Sequence, residues 1–163
     1  MKCTIAEIII EFKEIEHCMP GLIPGHYAPF LCQGNPDVIV EIVSERDRKL
    51  LSRRDRIVKW ERNNLCGPGF AGDIDPHGNR ATLRLVQDSK VFDTAFRALI
   101  AHVLCIRQGF LIHAAAIVNN EQGILIPGSS GAGKSTVCAN SHLAGNVVIS
   151  DDIAAVRNVN GVY

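Results

Sequence analysis

"ILIPGSSGAGKST" occupies residues 124–136. An apolar run ends at Pro127, and small residues then lead to Lys134 and Ser135. Gly128-Ser129-Ser130-Gly131-Ala132-Gly133-Lys134-Ser135 fits G-x-x-x-x-G-K-[ST], the P-loop or Walker A pattern, at every fixed position. Glycines let consecutive backbone N–H groups turn inward around phosphate oxygens. A helix starting near Gly133 points its unpaired N–H groups and positive dipole end at the same anion. Lys134 adds a point charge for the β- and γ-phosphates, and Ser135 offers a hydroxyl to Mg²⁺. The context agrees: a β-rich run at 123–127 precedes the loop, and a helical stretch at 134–143 follows it and stops at Gly145. A glycine-rich turn matching by chance would lack those flanks. Thr136 completes the phosphate-facing set at the helix start.

"NVVISDD" follows at residues 146–152. Val147, Val148 and Ile149 read as a short buried strand with Asp151 and Asp152 at its end. A helix of about ten residues carries the chain away by roughly 15 Å. A strand of about five residues returns it by roughly 17 Å. The aspartates are therefore expected at the sheet edge that holds the loop, where open α/β sheets bind ligands. One carboxylate there suits Mg²⁺, and the other suits taking a proton from an attacking hydroxyl. Without the loop, Asp151-Asp152 would read as a solvated turn.

Residues 110–152, "FLIHAAAIVNNEQGILIPGSSGAGKSTVCANSHLAGNVVISDD", resemble the HPr kinase/phosphorylase family. That family carries a strand with a histidine, a tight hairpin, a P-loop, a short helix and a strand ending in Asp-Asp, in this order. The resemblance implies an HPr kinase-like, phosphoenolpyruvate carboxykinase-like core that binds ATP and Mg²⁺ and phosphorylates a serine. It implies ATP phosphates on Gly128 to Ser135, and Mg²⁺ on Ser135 with Asp151 supporting the metal or the geometry. It implies Asp152 as proton acceptor and His113 as the active-site histidine. Taken alone, His113 in an apolar strand reads as a core histidine. Ser129 and Thr136 stand where bifunctional members carry acidic residues, which implies a divergent relative. The family's further metal-binding Glu and later catalytic Arg have no counterpart in "IAAVRNVNGVY", residues 153–163. A kinase domain incomplete at its C-terminus is therefore expected, either a truncated kinase or a reduced protein that does not complete the chemistry alone. The residues themselves read as a hairpin turning at Asn160-Gly161, a pair suited to type I′.

Of the 163 residues, 47% are hydrophobic and 21% charged, as in a globular protein of one domain or two small ones. Seventeen basic residues balance seventeen acidic ones, which favours neither nucleic acid nor an anionic membrane. No apolar run approaches the ~18 residues of a membrane helix. Glu7 and Glu11 interrupt "MKCTIAEIIIEF", which reads as a strand rather than a signal peptide. Six scattered cysteines form no C-x-x-C pair and suit reduced thiols in the cytoplasm. His17, Cys18, His26 and Cys32 fit no familiar zinc spacing.

Residues 1–88 read as a β-rich amino-terminal domain, and 89–163 as the P-loop domain, an α/β chain of the α+β kind. Residues 4–13 alternate as one strand, with Ile8, Ile10 and Phe12 sharing a face. Residues 18–37, rich in Pro and Gly, read as a long loop. Strands follow at 37–43 and around Val58 and Trp60, then a hairpin turns at 75–79. Phe92, Phe96, Leu99, Val103 and Ile106 recur at helical spacing, with Asp88 or Ser89 as N-cap and Gly109 as the stop. This helix is expected to pack on the P-loop sheet. His102 on it reads as structural. Residues 44–62 hold eight basic residues against four acidic, a solvated segment or a docking patch for an acidic partner.

Three functions follow, in order. The first is an ATP- and Mg²⁺-dependent kinase acting on a serine of a protein, HPr-like or other. The second is a non-catalytic nucleotide-binding module. The third is a different P-loop kinase or NTPase. A homo-oligomer is expected, because exposed sheet edges are usually paired or covered.

Overall fold

The computed structural model describes residues 1–14, 22–45 and 57–162. His17, Cys18 and most of the basic stretch 44–62 lie outside the described residues. The chain is mixed α and β, with strands dominating, and divides into two compact units, Met1–Ile106 and Arg107–Tyr163.

The first unit holds a seven-stranded sheet built from β1 (Lys2–Ile5), β2 (Ile8–Glu14), β3 (Val38–Ser44), β4 (Lys59–Glu61), β5 (Asn64–Gly67), β6 (Phe70–Ile74) and β7 (Arg80–Leu85). Its order is β1-β2-β3-β7-β6-β5-β4. The β2–β3 and β3–β7 pairs are parallel, and the other pairs antiparallel. The single strand expected over 4–13 is instead a hairpin. Ala6 and Glu7 take φ of 48° and 61°, and Ile5 pairs with Ile8 across that two-residue turn. Beyond the turn the expected face holds, with Ile8, Ile10 and Phe12 all buried.

Helix α1 (Ser89–Ile106) covers this sheet. Where the glycine-rich loop's sheet was expected as its partner, it packs on β5, β6 and β7 of this one. The Phe12 ring lies 5.5 Å from Phe92 and 5.0 Å from Phe96. Phe92, Phe96, Leu99, Ile100 and Val103 are buried along one stripe. Each such side chain contributes roughly 1.5–3 kcal/mol. Asp88 is the N-cap, accepting from the backbone N–H of Lys90 at 2.8 Å. At the far end the left-handed residue is Gln108, at φ 58°, and not the expected Gly109. His102 stacks on Trp60 at 4.1 Å, and burial lowers its pKa, in keeping with a structural role. Tyr27 donates to Asp93 Oδ1 at 2.7 Å, which ties the 3-10 turn Gly25–Phe30 to α1.

The second unit contains β8 (Gly109–Ile112), β9 (Ala114–Asn119), β10 (Gln122–Pro127), α2 (Lys134–Leu143), β11 (Val147–Ser150) and β12 (Ala154–Arg157). β9 is the middle of a three-stranded sheet ordered β10-β9-β11, while β8 pairs with β12. Both outer strands run antiparallel to β9, so β10 and β11 point the same way. α2 is the crossover between them. Its Cys138 packs with Ala115 and Ile117, and Ile126 and Val148 complete that small core. Asn160 and Gly161 take φ of 54° and 88°, and Val159 and Val162 exchange two backbone bonds across them. That is the expected type I′ turn.

Candidate functional site

Topology brings three segments to one end of the second unit's sheet. Pro127, at the end of β10, pairs with Ala114, at the start of β9. Ser150, at the end of β11, pairs with Ala116. The glycine-rich loop, His113 and the two aspartates therefore leave the same sheet edge.

The loop turns through left-handed Gly131 and Gly133, at φ 82° and 89°. A side chain at Gly128 would meet the Ala132 Cβ at 3.0 Å. Gly133 is the N-cap of α2 and supplies no side-chain bond to the helix start, and no acidic residue lies in the first turn. The first N–H groups of α2 thus face the loop without side-chain acceptors. Lys134 is only 9% exposed, so its charge needs partners. Its Nζ donates to the carbonyls of Gly128 at 2.7 Å and Ser129 at 3.0 Å. An ammonium has three hydrogens, and the third remains for an anion in the loop. Ser129, Ser130, Ala132, Ser135 and Thr136 lie on the same loop and first turn, with the Ser135 and Thr136 side chains exposed.

The two aspartates serve different walls. Asp151 and Ser135 both line an open cleft of about 410 Å³ between α2 and β11, along with Cys138 and His142. Asp152 turns to His113: Nε2 lies 3.2 Å from Oδ1, with both side chains more than half exposed. His113 is therefore no core histidine, as its apolar strand alone would suggest. Among the described residues no three His, Cys, Asp or Glu gather as a metal cage. Mg²⁺ commonly uses one or two protein oxygens and completes its shell with phosphate and water. Ser135 and Asp151 on one cleft fit that donor set.

One contributor carried no sequence signal. Ser150 Oγ donates to the Ile153 carbonyl at 2.8 Å and accepts from the Asp152 N–H at 3.3 Å. A serine before Asp-Asp matches no spacing rule, so only the fold reveals it.

Comparisons with protein-family models, with curated proteins and with solved structures found no match for this chain.

Proposed function

We propose that the second unit is the P-loop part of an HPr kinase-like phosphotransferase that binds ATP with Mg²⁺. The observation that carries this reading is the convergence, on one sheet edge, of a complete G-x-x-x-x-G-K-S loop with a His113–Asp152 pair. Bound MgATP supplies the γ-phosphoryl group and neutralises its charge. The loop amides and Lys134 would hold the phosphates, and Ser135 and Asp151 would hold the metal. Asp152 takes the proton from the acceptor hydroxyl as its oxygen bonds the γ-phosphorus and the bond to ADP breaks. His113 orients the Asp152 carboxylate and steadies its charge. The resemblance points to a serine of a protein as acceptor.

Two further parts belong to the same reading. The scattered cysteines point to the cytoplasm; among the described residues no helix is long and apolar enough to cross a membrane. β10 and β11 are the outer strands of their sheet, and Val147 and Ile149 on β11 are exposed, which supports self-association, measurable by light scattering.

Calorimetry with MgATP tests the central claim. Wild type should bind, and Lys134→Ala should bind at least tenfold more weakly. Equal affinity in the two proteins would remove the loop from the reading. Binding without transfer to any serine acceptor would favour the nucleotide-binding module.

A further inference from the structure

The strand that delivers the aspartates does not end regularly. Val148 stands opposite Ile117, yet Ser150 stands opposite Ala116, so Ile149 is the extra residue of a β-bulge. A bulge bends its strand and re-aims the residues that follow. Beyond the bulge, the Ser150 hydroxyl closes the turn from both sides. It donates to the Ile153 carbonyl and accepts the Asp152 N–H. Both the donor and an acceptor site of one hydroxyl are used on the four-residue stretch that contains the carboxylates. From behind, Cys138 on α2 donates its thiol to the Ser150 carbonyl at 3.6 Å. Ser150 is thereby tied to the helix that begins at the loop. Asp152, on the far side of this clamp, stands 3.2 Å from His113 while 60% exposed. A carboxylate that exposed has little packing to hold it, so its backbone must be placed by something else. The Ser150 hydroxyl is one group that holds that backbone, through the Asp152 N–H and the Ile153 carbonyl.

We propose that Ser150 is a positioning residue: its hydroxyl fixes the Asp151–Asp152 turn so that Asp152 meets His113 while Asp151 faces the Ser135 cleft. The catalytic consequence rests on the proposed kinase reading. The positioning itself does not. Losing the hydroxyl frees the Asp152 N–H and the Ile153 carbonyl, and the turn relaxes. A relaxed turn moves Asp152 away from His113 without touching the loop. Misplacement of a reacting group by about 1 Å can cost about 100-fold in rate.

The test compares Ser150→Thr with Ser150→Val, which share a shape and differ in the hydroxyl. The readout is the ¹⁵N and ¹H ring signals of His113 in the full chain, with Asp152→Asn as the reference for a broken pair. The backbone amide signals of the β9–β10 hairpin, in the same unit, report whether each variant is folded. Ser150→Thr should keep the His113 signals at their wild-type positions. Ser150→Val should move them most of the way to those of Asp152→Asn, with the β9–β10 amide signals unmoved. Wild-type His113 signals in Ser150→Val, or equal displacement in Ser150→Thr, would overturn the proposal. ATP titration of the same variants separates the two claims. Without Mg²⁺, affinity equal within about twofold across wild type, Thr and Val is expected, because the loop is untouched. If wild type binds no ATP, the kinase reading fails while the His113 result still decides the role of Ser150. Where transfer is measurable, Ser150→Val should lower kcat about 100-fold, and Ser150→Thr should restore it.

Discussion

His113 Nε2 and Asp152 Oδ1 lie 3.2 Å apart, one residue before β9 and the other just beyond β11. The pairing follows from strand order. β9 starts at the edge where β11 ends, so the residue before one strand meets the residues after the other. Asp152→Asn removes a proton acceptor but leaves the loop intact. ATP affinity should stay within about twofold, while transfer should fall about 10²–10⁴-fold, the usual worth of a general base. Single-turnover transfer beside ATP calorimetry checks this. A variant that loses ATP binding and turnover together would instead place Asp152 in the binding shell.

Gly133→Ala tests the loop's backbone separately from its charge. A Cβ at Gly133 meets nothing within 4 Å, so any cost comes from φ of 89°. A non-glycine residue in the left-handed region costs roughly 1–2 kcal/mol. The variant should lose about tenfold in ATP affinity with a small fall in Tm. Gly72→Ala gives the contrast: its Cβ would stand 2.6 Å from the backbone oxygen of Thr82. That variant should lower the melting temperature more and leave ATP affinity unchanged once folded.

The loop was legible because its geometry demands particular residue types at fixed spacing. Gly131 and Gly133 are where the chain turns left-handed, and Lys134 is where a cation must sit. The return of Asp151 and Asp152 to the same edge was legible from helix and strand rises alone. The β1–β2 turn was not. Ala6 and Glu7 adopt a type I′ geometry that Asn-Gly normally marks, so alternation ran on through them as one strand. The end of α1 was hidden likewise, since Gln108 takes the left-handed position beside a glycine that would suit it better. Helix partnership was also hidden: an apolar stripe states that α1 is covered, and only Phe12 and the sheet around it state by what. The role of Ser150 needed the bulge, which no local pattern announces.

That mismatch at Ala6-Glu7 predicts a stabilising change. Replacing the pair by Asn-Gly relieves two residues held at φ of 48° and 61°. The double variant Ala6→Asn, Glu7→Gly should gain about 1 kcal/mol and raise the melting temperature by several degrees. Denaturant melts of the full chain check this, and a lower midpoint would show that Ala6 or Glu7 makes a contact worth more than the turn strain.

Phe96→Ala should be among the costliest changes in the first unit. The ring is 2% exposed and packs against Phe12, Tyr27 and Phe92 at 5.0, 5.2 and 5.7 Å. Removing a buried phenylalanine costs about 3–5 kcal/mol. A denaturant midpoint within error of wild type would mean that α1 does not hold this sheet together.

Asp75 gives a pH signature to the β6–β7 turn. Its carboxylate accepts the backbone N–H of His77 at 2.7 Å and of Asn79 at 3.0 Å, and that of Arg80 as well. Burial pulls this carboxyl upward, but the N–H bonds from His77, Arg80 and Asn79 outweigh it and hold the pKa below the ordinary 3.8. A carboxyl whose folded pKa is depressed binds fewer protons in the folded chain than in the unfolded one. Its contribution is therefore complete above the unfolded value of 3.8 and is lost as pH falls through the lower folded value. Asp75→Asn keeps the shape and one acceptor but cannot ionise. Thermal melts should show the variant less stable at neutral pH, by an amount that stays constant on acidification until about 3.8. Below that the gap should narrow, because wild type gives up the charged form that the variant never had. A gap that is flat across the whole range, or that widens toward acid, would mean the turn is held by Gly78 at φ 69° and the strand pairing alone, with the Asp75 charge a bystander.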